Sequence, residues 1–283
     1  MNRIGILKNT LEIFKNGYYY VGDSYVPLRL TPSEYAKVHY WKENEDTVSE
    51  TAIETQISTE DCKITVKRKD TFEAAIDMKY RVGESKRILV LNFANPINPG
   101  GGVRYGAVAQ EEDLCRRSSL LFSLESQEAA PFYRYHADCC DSLASDSILL
   151  SPNVEIIRDR SNLFLPKSEV VSVITCAAPI KHGVRYHSIS TADYAKLLYG
   201  RIKRILQISS ICRYSYLVLG AWGCGSFGND AQLVAHMFHS ALNERIDGGQ
   251  LRKNKFREIE FAVLSNGTND YNYQSFYQTF YPM

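Results

Sequence analysis

Four short apolar runs constrain what this chain can fold into: Arg87 to Phe93 (RILVLNF), Val170 to Cys176 (VVSVITC), Tyr216 to Gly220 (YLVLG) and Glu258 to Leu264 (EIEFAVL). Short runs this apolar are strands whose two faces are both covered. Helical patterns lie between them. Asp70 with Glu73 can cap a helix through Tyr80, and residues 111–125 can form one with Leu114 and Leu121 on the same face. Thr191 opens a long helical pattern through Ile211, and another runs from Asp230 to about Arg245. Cys62 to Lys67 alternates as a further strand. Apolar strands alternating with helices predict an α/β fold, a three-layer α/β/α sandwich.

The first 60 residues read differently. Ile4, Leu7, Leu11 and Phe14 recur at helical spacing up to Gly17. Tyr18 to Leu28, with Gly22-Asp23 in its middle, reads as a hairpin. Thr31-Pro32-Ser33-Glu34 has capping-box spacing with proline at the first helical position. Residues 42–60 are polar and unpatterned, a loose connection. The expectation is an N-terminal, mostly helical extension over 1–60 packed on a main domain over 61–283.

Several function classes are excluded on composition. The net charge of +1 supplies no global field for nucleic acid or a membrane surface. No window approaches the roughly 18 apolar residues of a membrane span. The start, MNRIGILKNTLEIFKNG, lacks the continuous apolar core of a leader. Seven cysteines, an odd number without a regular framework, favour a reducing compartment, so the expectation is a cytoplasmic protein. Cys139-Cys140 beside His136 and Asp138 lacks a second ligand pair at zinc spacing, so neither a metal nor another cofactor is expected.

The chemistry concentrates in two glycine loops. After the first apolar strand come Gly100-Gly101-Gly102, seven spacer residues, and Gln110-Glu111-Glu112. The glycines let backbone N–H groups approach an anion or a sugar, and the carboxylates bring acid/base capacity. After Tyr216 to Gly220 comes Gly223-Cys224-Gly225-Ser226-Phe227-Gly228, placed between strand and helix where amides and a helix N-terminus bind phosphate. Its glycines also satisfy G-x-G-x-x-G, so a Rossmann cofactor site competes, without a convincing acidic residue about 20 positions on. Both loops leave the carboxyl ends of strands, the edge where open α/β sheets bind ligands, and two such loops could hold two parts of one ligand.

Each feature also has a plainer reading. Gln-Glu-Glu alone suits the solvated first turn of a helix, and the second loop alone could be a tight strand-to-helix turn. Neighbouring Glu111 and Glu112 point about 100° apart on a helix, so they cannot flank a bond as the usual glycosidase pair does. One carboxyl does the proton work and the other holds it or the substrate. Phe227 either covers a ribose or base or anchors its loop. Asn92, Asn95 and Asn98 offer amides to sugar hydroxyls or simply stabilise turns.

With these motifs in order, the chain resembles the bacterial-type poly(ADP-ribose) glycohydrolases, of macrodomain fold. The likeness also takes in Asn9-Thr10-Leu11 with Gly17-Tyr18, Thr71-Phe72-Glu73-Ala74-Ala75, Asn92-Phe93-Ala94, Ile174-Thr175-Cys176-Ala177-Ala178-Pro179 and Gly220-Ala221-Trp222-Gly223-Cys224-Gly225. It covers nearly the whole chain and is least clear over 126–147. The resemblance implies a mixed sheet and metal-free cleavage of ribose–ribose bonds in poly(ADP-ribose), from chain ends, releasing ADP-ribose. It implies Glu112 as the catalytic acid and Glu111 on the distal ribose. Gly100, Gly101 and Gly102 approach that ribose and the diphosphate. Asn95 or Asn98 contacts the ribose, and Gln110 belongs to the same binding motif. Gly223, Cys224, Gly225, Ser226 and Phe227 form the diphosphate loop, with Phe227 near the terminal ribose. The partner is poly(ADP-ribose) or an ADP-ribosylated protein, with no membrane and no direct nucleic-acid binding. The alternatives are a hydrolase of another ADP-ribose adduct on protein, nucleic acid or a metabolite, and a non-catalytic ADP-ribose reader.

Overall fold

The computed structural model describes residues 2–43, 61–139, 141–182, 188–246, 249–264 and 270–282. The chain divides into two compact units. One comprises Met1–Lys42, Asn92–Cys140 and Ser147–Ala177; the other comprises Glu43–Leu91, Asp141–Asp146 and Ala178–Met283.

In the first unit, helix α1 (Arg3–Asn16) is capped by the Asn2 side chain and stopped by Gly17 at φ +83°. The hairpin β1 (Tyr18–Val21) and β2 (Ser24–Pro27) turns through Gly22-Asp23, with Val21 opposite Ser24. Thr31 and Glu34 form the expected capping box, and the one-turn helix α2 (Pro32–Tyr35) follows. Strand β3 (His39–Trp41) pairs antiparallel with β6 (Ile148–Arg158), which pairs antiparallel with the long β7 (Phe164–Cys176). An apolar cluster of Ile13, Phe14, Tyr19, Tyr35 and Ile157, joined by Phe122 and Phe164, ties helix, hairpin and strands together. The loose connection expected over 42–60 lies almost wholly outside the described residues.

In the second unit the ladder is parallel. Strand β9 (Glu258–Ala262) lies between β8 (Tyr216–Leu219) and β4 (Lys63–Lys67), and β8 pairs on its other side with β5 (Ile88–Phe93). Every residue of β9 is buried, so both of its faces are covered. The covering helices are α3 (Thr71–Val82), α7 (Thr191–Ile211), α8 (Ala231–Leu242) and α9 (Tyr271–Phe280). Asp70 caps α3 by accepting from Glu73 N as the sequence predicts, Asp230 accepts from Leu233 N at the start of α8, and α7 begins at Thr191 behind a Ser190 cap on Asp193 N. Phe238, Phe261 and Phe276 meet ring to ring where α8 and α9 pack together. Glu260, fully buried on β9, receives Lys67 Nζ at 2.8 Å and Arg81 Nη2 at 3.1 Å, which fastens β4 and α3 to this strand.

Antiparallel and parallel ladders together make the fold mixed α/β, as expected. Strand β3 and helices α6 (Ala130–Cys139) and α9 have no counterpart in the sequence reading, and two further elements differ from it instructively. The single helix over 111–125 is two, α4 (Gln110–Arg117) and α5 (Leu120–Leu124), followed by α6. The break falls at Ser118, whose hydroxyl turns back to Leu114 O at 2.8 Å while Ser119 N donates to Glu155 O at 3.0 Å. Serine side chains compete with the helix for backbone partners, and a neighbouring strand wins the exposed amide. Strand β6 went unpredicted because Pro152 and Asn153 interrupt its apolar run; the structure absorbs them in a register shift between Ser151 and Val154.

Candidate active site

The triple glycine, Gln110, Glu111 and Glu112 all lie in the first unit, where α4 brings them together. Helix α4 begins without a side-chain cap, since Ala109 stands at its N-cap, and its first turn carries three acids. Those acids turn inward rather than out. Glu111 is 2% exposed and Glu112 8%, so the solvated-turn reading of Gln-Glu-Glu does not hold.

Each of the three side chains holds a different part of the loop that leaves β5. Gln110 Oε1 accepts from Phe93 N at 2.9 Å. Glu111 Oε1 accepts from Asn92 Nδ2 at 3.0 Å and Oε2 from Asn95 N at 2.8 Å. Glu112 Oε1 accepts from Gly102 N at 2.9 Å. Its other oxygen, Oε2, is buried and has no hydrogen-bond partner among the described residues. An orphaned carboxyl oxygen is costly in a closed interior and useful where a ligand will supply the partner.

The glycines are there for room. Gly100 and Gly101 take left-handed φ of +68° and +57°. A Cβ on Gly101 would land on Glu112 Oε1, and one on Gly102 would come within 2.9 Å of Ala107 Cβ. The loop closes over the carboxylates only because no side chain intervenes.

Burial shapes the electrostatics of Glu111. Burial pushes Glu111 up to about 8, against the amides of Asn95, Asn92 and Gly100, which lower it; the Glu112 charge raises it further. At neutral pH Glu111 is therefore largely protonated and adds little repulsion to an anionic ligand. Burial also lifts the Cys115 thiol far above its ordinary value, so Cys115 is no nucleophile here.

Asn95 is part of the loop's own scaffold. Its Oδ1 accepts from Ile97 N at 2.9 Å and from Asn98 N at 2.8 Å, while Asn98 is exposed and its carbonyl accepts from Gly101 N. Asn92, offered by the sequence as a sugar contact or a turn residue, is fully buried and instead donates to both Glu111 and Thr175 Oγ1; Thr175 was not singled out for any role. The available signal was an amide inside an otherwise apolar strand. His136 of the Cys139 region is buried in α6, its Nδ1 on Phe132 O at 2.8 Å.

The other glycine loop lies in the second unit, between β8 and α8. Gly223 is left-handed at φ +73°, with Asn229 and Ala178 against the place a Cβ would occupy. Asn229 is the loop's internal clamp: Nδ2 donates to Pro179 O at 2.9 Å and to Gly223 O at 3.1 Å, and Oδ1 accepts from Tyr194 OH. Lys181 N donates to Phe227 O at 2.9 Å, and the His182 ring lies against Gly228. The loop thereby uses its carbonyls internally. The amides of Gly223, Gly225, Ser226 and Phe227 donate to no group among the described residues. Gly225 and Ser226 are exposed, and a Cβ on Gly225 would meet open space. A run of unpaired amides ahead of a helix N-terminus is an anion nest. Phe227 and Cys224 are half-buried, and burial lifts the Cys224 thiol above its ordinary range.

The family description "Microbial-type PARG, catalytic domain" matches residues 8–159. The chain belongs to this family, the microbial-type poly(ADP-ribose) glycohydrolases. Among solved structures it is similar to poly(ADP-ribose) glycohydrolase from Thermomonospora curvata, at 28% identity and TM-score 0.85 with 98% of each chain covered. The same enzyme bound to the inhibitor ADP-HPD matches at 29% identity and TM-score 0.82, again over 98% of each chain. The Deinococcus radiodurans enzyme in complex with ADP-ribose matches at 31% identity and TM-score 0.76, covering 87% of this chain and 95% of that one. No curated protein matches the chain.

Proposed function

We propose that this protein is a poly(ADP-ribose) glycohydrolase that cleaves ribose–ribose O-glycosidic bonds from chain ends and releases ADP-ribose, with Glu112 as its general acid and base. One observation carries the assignment of the acid: Glu112 is held by one oxygen on Gly102 N, while the other is buried with no partner among the described residues. Membership of the family and the ADP-ribose and ADP-HPD complexes of its relatives support the substrate class.

In the reaction, Glu112 protonates the leaving ribose oxygen as oxocarbenium character develops at the anomeric carbon. Water then attacks, and the same carboxylate takes its proton. Glu111 keeps the Asn92–Gly100 stretch shaped around the distal ribose and meets its hydroxyls with the remaining lone pairs. Asn95, Asn98, Gln110 and Gly100 to Gly102 line that sugar. The amides of Gly223, Gly225, Ser226 and Phe227, with Cys224 between them, take the diphosphate, and the Phe227 ring covers the terminal ribose. No metal or other cofactor enters this scheme. Residues 1–60 act as an extension packed on a catalytic part over 61–283, a reading supported by the contact of Thr10 with α4. Partners are poly(ADP-ribose) or an ADP-ribosylated protein, and neither membrane nor direct nucleic-acid binding is needed. No helix among the described residues is long and apolar enough to cross a membrane, and the cysteine usage supports the cytoplasm.

Purified wild type and Glu112→Gln, incubated with poly(ADP-ribose) and followed by chromatography of free ADP-ribose, test this. Turnover should fall at least ~10²-fold in the variant, with ADP-ribose affinity nearly intact. Full turnover by Glu112→Gln would remove the acid assignment. Binding without release by wild type would leave a reader or a hydrolase of a different adduct.

A further inference from the structure

Helix α4 has only eight residues, and its first turn carries the two carboxylates. A helix so short has little stability of its own, so the direction in which Glu111 and Glu112 point depends on what holds its far end. Helix C-termini leave carbonyls without intrahelical partners. At this one, the Arg116 carbonyl accepts from Thr10 Oγ1 at 2.7 Å. Thr10 is fully buried and comes from α1, more than a hundred residues earlier.

The Thr10 hydroxyl is itself held. Arg158 Nε donates to Thr10 Oγ1 at 3.0 Å, so the hydroxyl proton is left to point at the Arg116 carbonyl. The Arg158 guanidinium is in turn fixed by Asn162 O at 2.7 Å, by the Asn9 side chain and by the Phe164 ring, whose centroid lies 4.0 Å from Cζ. Arg158 is 5% exposed and meets no carboxylate among the described residues, and burial lowers its pKa to about 10. A buried cation kept without an acidic partner is costly unless its position matters. Here it lies one hydroxyl away from the negative end of the helix dipole. Arg117, the last residue of α4, also donates from Nε to Arg158 O at 3.3 Å, so the strand residue grips the helix end twice.

We propose that Thr10 and Arg158 are positioning residues for the reaction, locking the C-terminal end of α4 so that Glu112 at its other end meets both Gly102 N and the substrate. This rests on the reading of Glu112 as the acid. It gives Asn9-Thr10 a task that neither composition nor periodicity assigned.

The test compares wild type, Thr10→Val, Thr10→Ser and Arg158→Gln on poly(ADP-ribose), with rates expressed per folded molecule from a denaturation curve. Thr10→Val keeps the shape and removes both hydrogen bonds. Sub-ångström misplacement of an acid costs on the order of 10–100-fold in kcat, and that loss is expected for Thr10→Val and Arg158→Gln with KM within about twofold. Thr10→Ser should restore most of it. Independently of turnover, amide exchange at Gly102 should quicken in Thr10→Val, because its partner is Glu112 Oε1. Unchanged kcat per folded molecule, or equal losses in the valine and serine variants, would overturn the proposal while leaving the glycohydrolase reading in place. If Thr10→Val fails to fold, Arg158→Gln and the Gly102 exchange decide. An inactive wild type would overturn both readings.

Discussion

The two glycine loops use the same residue for opposite ends. In the loop after β5, glycine makes room for the protein's own carboxylates: a Cβ at Gly101 would occupy the position of Glu112 Oε1. In the loop after β8, the exposed Gly225 has nothing near its missing Cβ, and four amides there have no partner among the described residues. The first loop is packed inward around two buried carboxyl groups. The second is open outward, with its carbonyls tied back by Asn229 and Lys181. The contrast suits the proposed division of labour: a glycine that cannot be replaced for internal reasons shapes a protein group, whereas one replaceable on internal grounds keeps space for a ligand.

The largest effect that would break this comparison is at Glu112, where Gln should remove at least ~10²-fold of turnover and leave ADP-ribose binding within a few-fold. Gly101→Ala comes next. It combines a left-handed φ of +57° with collision against Glu112, so stability should fall by about 1–3 kcal/mol. Activity should fall beyond the loss of folded protein, measured by thermal denaturation alongside turnover. Gly225→Ala should behave in the opposite way. With ordinary φ and open space, the change should lie within about 0.5 kcal/mol in stability, while ADP-ribose affinity drops roughly tenfold, about 1.4 kcal/mol. An affinity unchanged in that variant would mean the amides of this loop do not face the ligand.

A smaller effect separates the two glutamates. The folded-state pKa of Glu111 is raised from 4.5 to about 8, so the folded protein binds more protons than the unfolded chain across that interval. Its share of stability is complete below about 4.5 and is lost as pH rises through about 8. Glu111→Gln should flatten the dependence of Tm on pH over this window. A profile with the same slope in the variant would place the uptake on another group.

Much of this was legible in the residues. Short apolar runs marked β5, β7, β8 and β9, and side-chain caps at Asp70, Ser190 and Asp230 fixed helix starts in the structure close to the predicted ones. The glycine triplet and Gln-Glu-Glu marked the carboxyl cluster. What escaped depends on contacts distant in sequence. Strand β6 contains a proline and a bulge that only its pairing with β7 accommodates. The break between α4 and α5 follows from Ser119 meeting Glu155 of that strand. Asn92 was visible as an amide in an apolar strand, but its role comes from Glu111 and Thr175, and that of Thr10 from Arg116 and Arg158, partners that no local pattern announces.

The most direct measurement is calorimetric titration of ADP-ribose into Glu112→Gln and Gly225→Ala beside turnover on poly(ADP-ribose). The division of labour predicts that Glu112→Gln binds nearly as wild type and does not turn over. Gly225→Ala should bind about tenfold more weakly and still reach near-normal kcat at saturating substrate. Weak binding by Glu112→Gln together with a lost kcat in Gly225→Ala would contradict it.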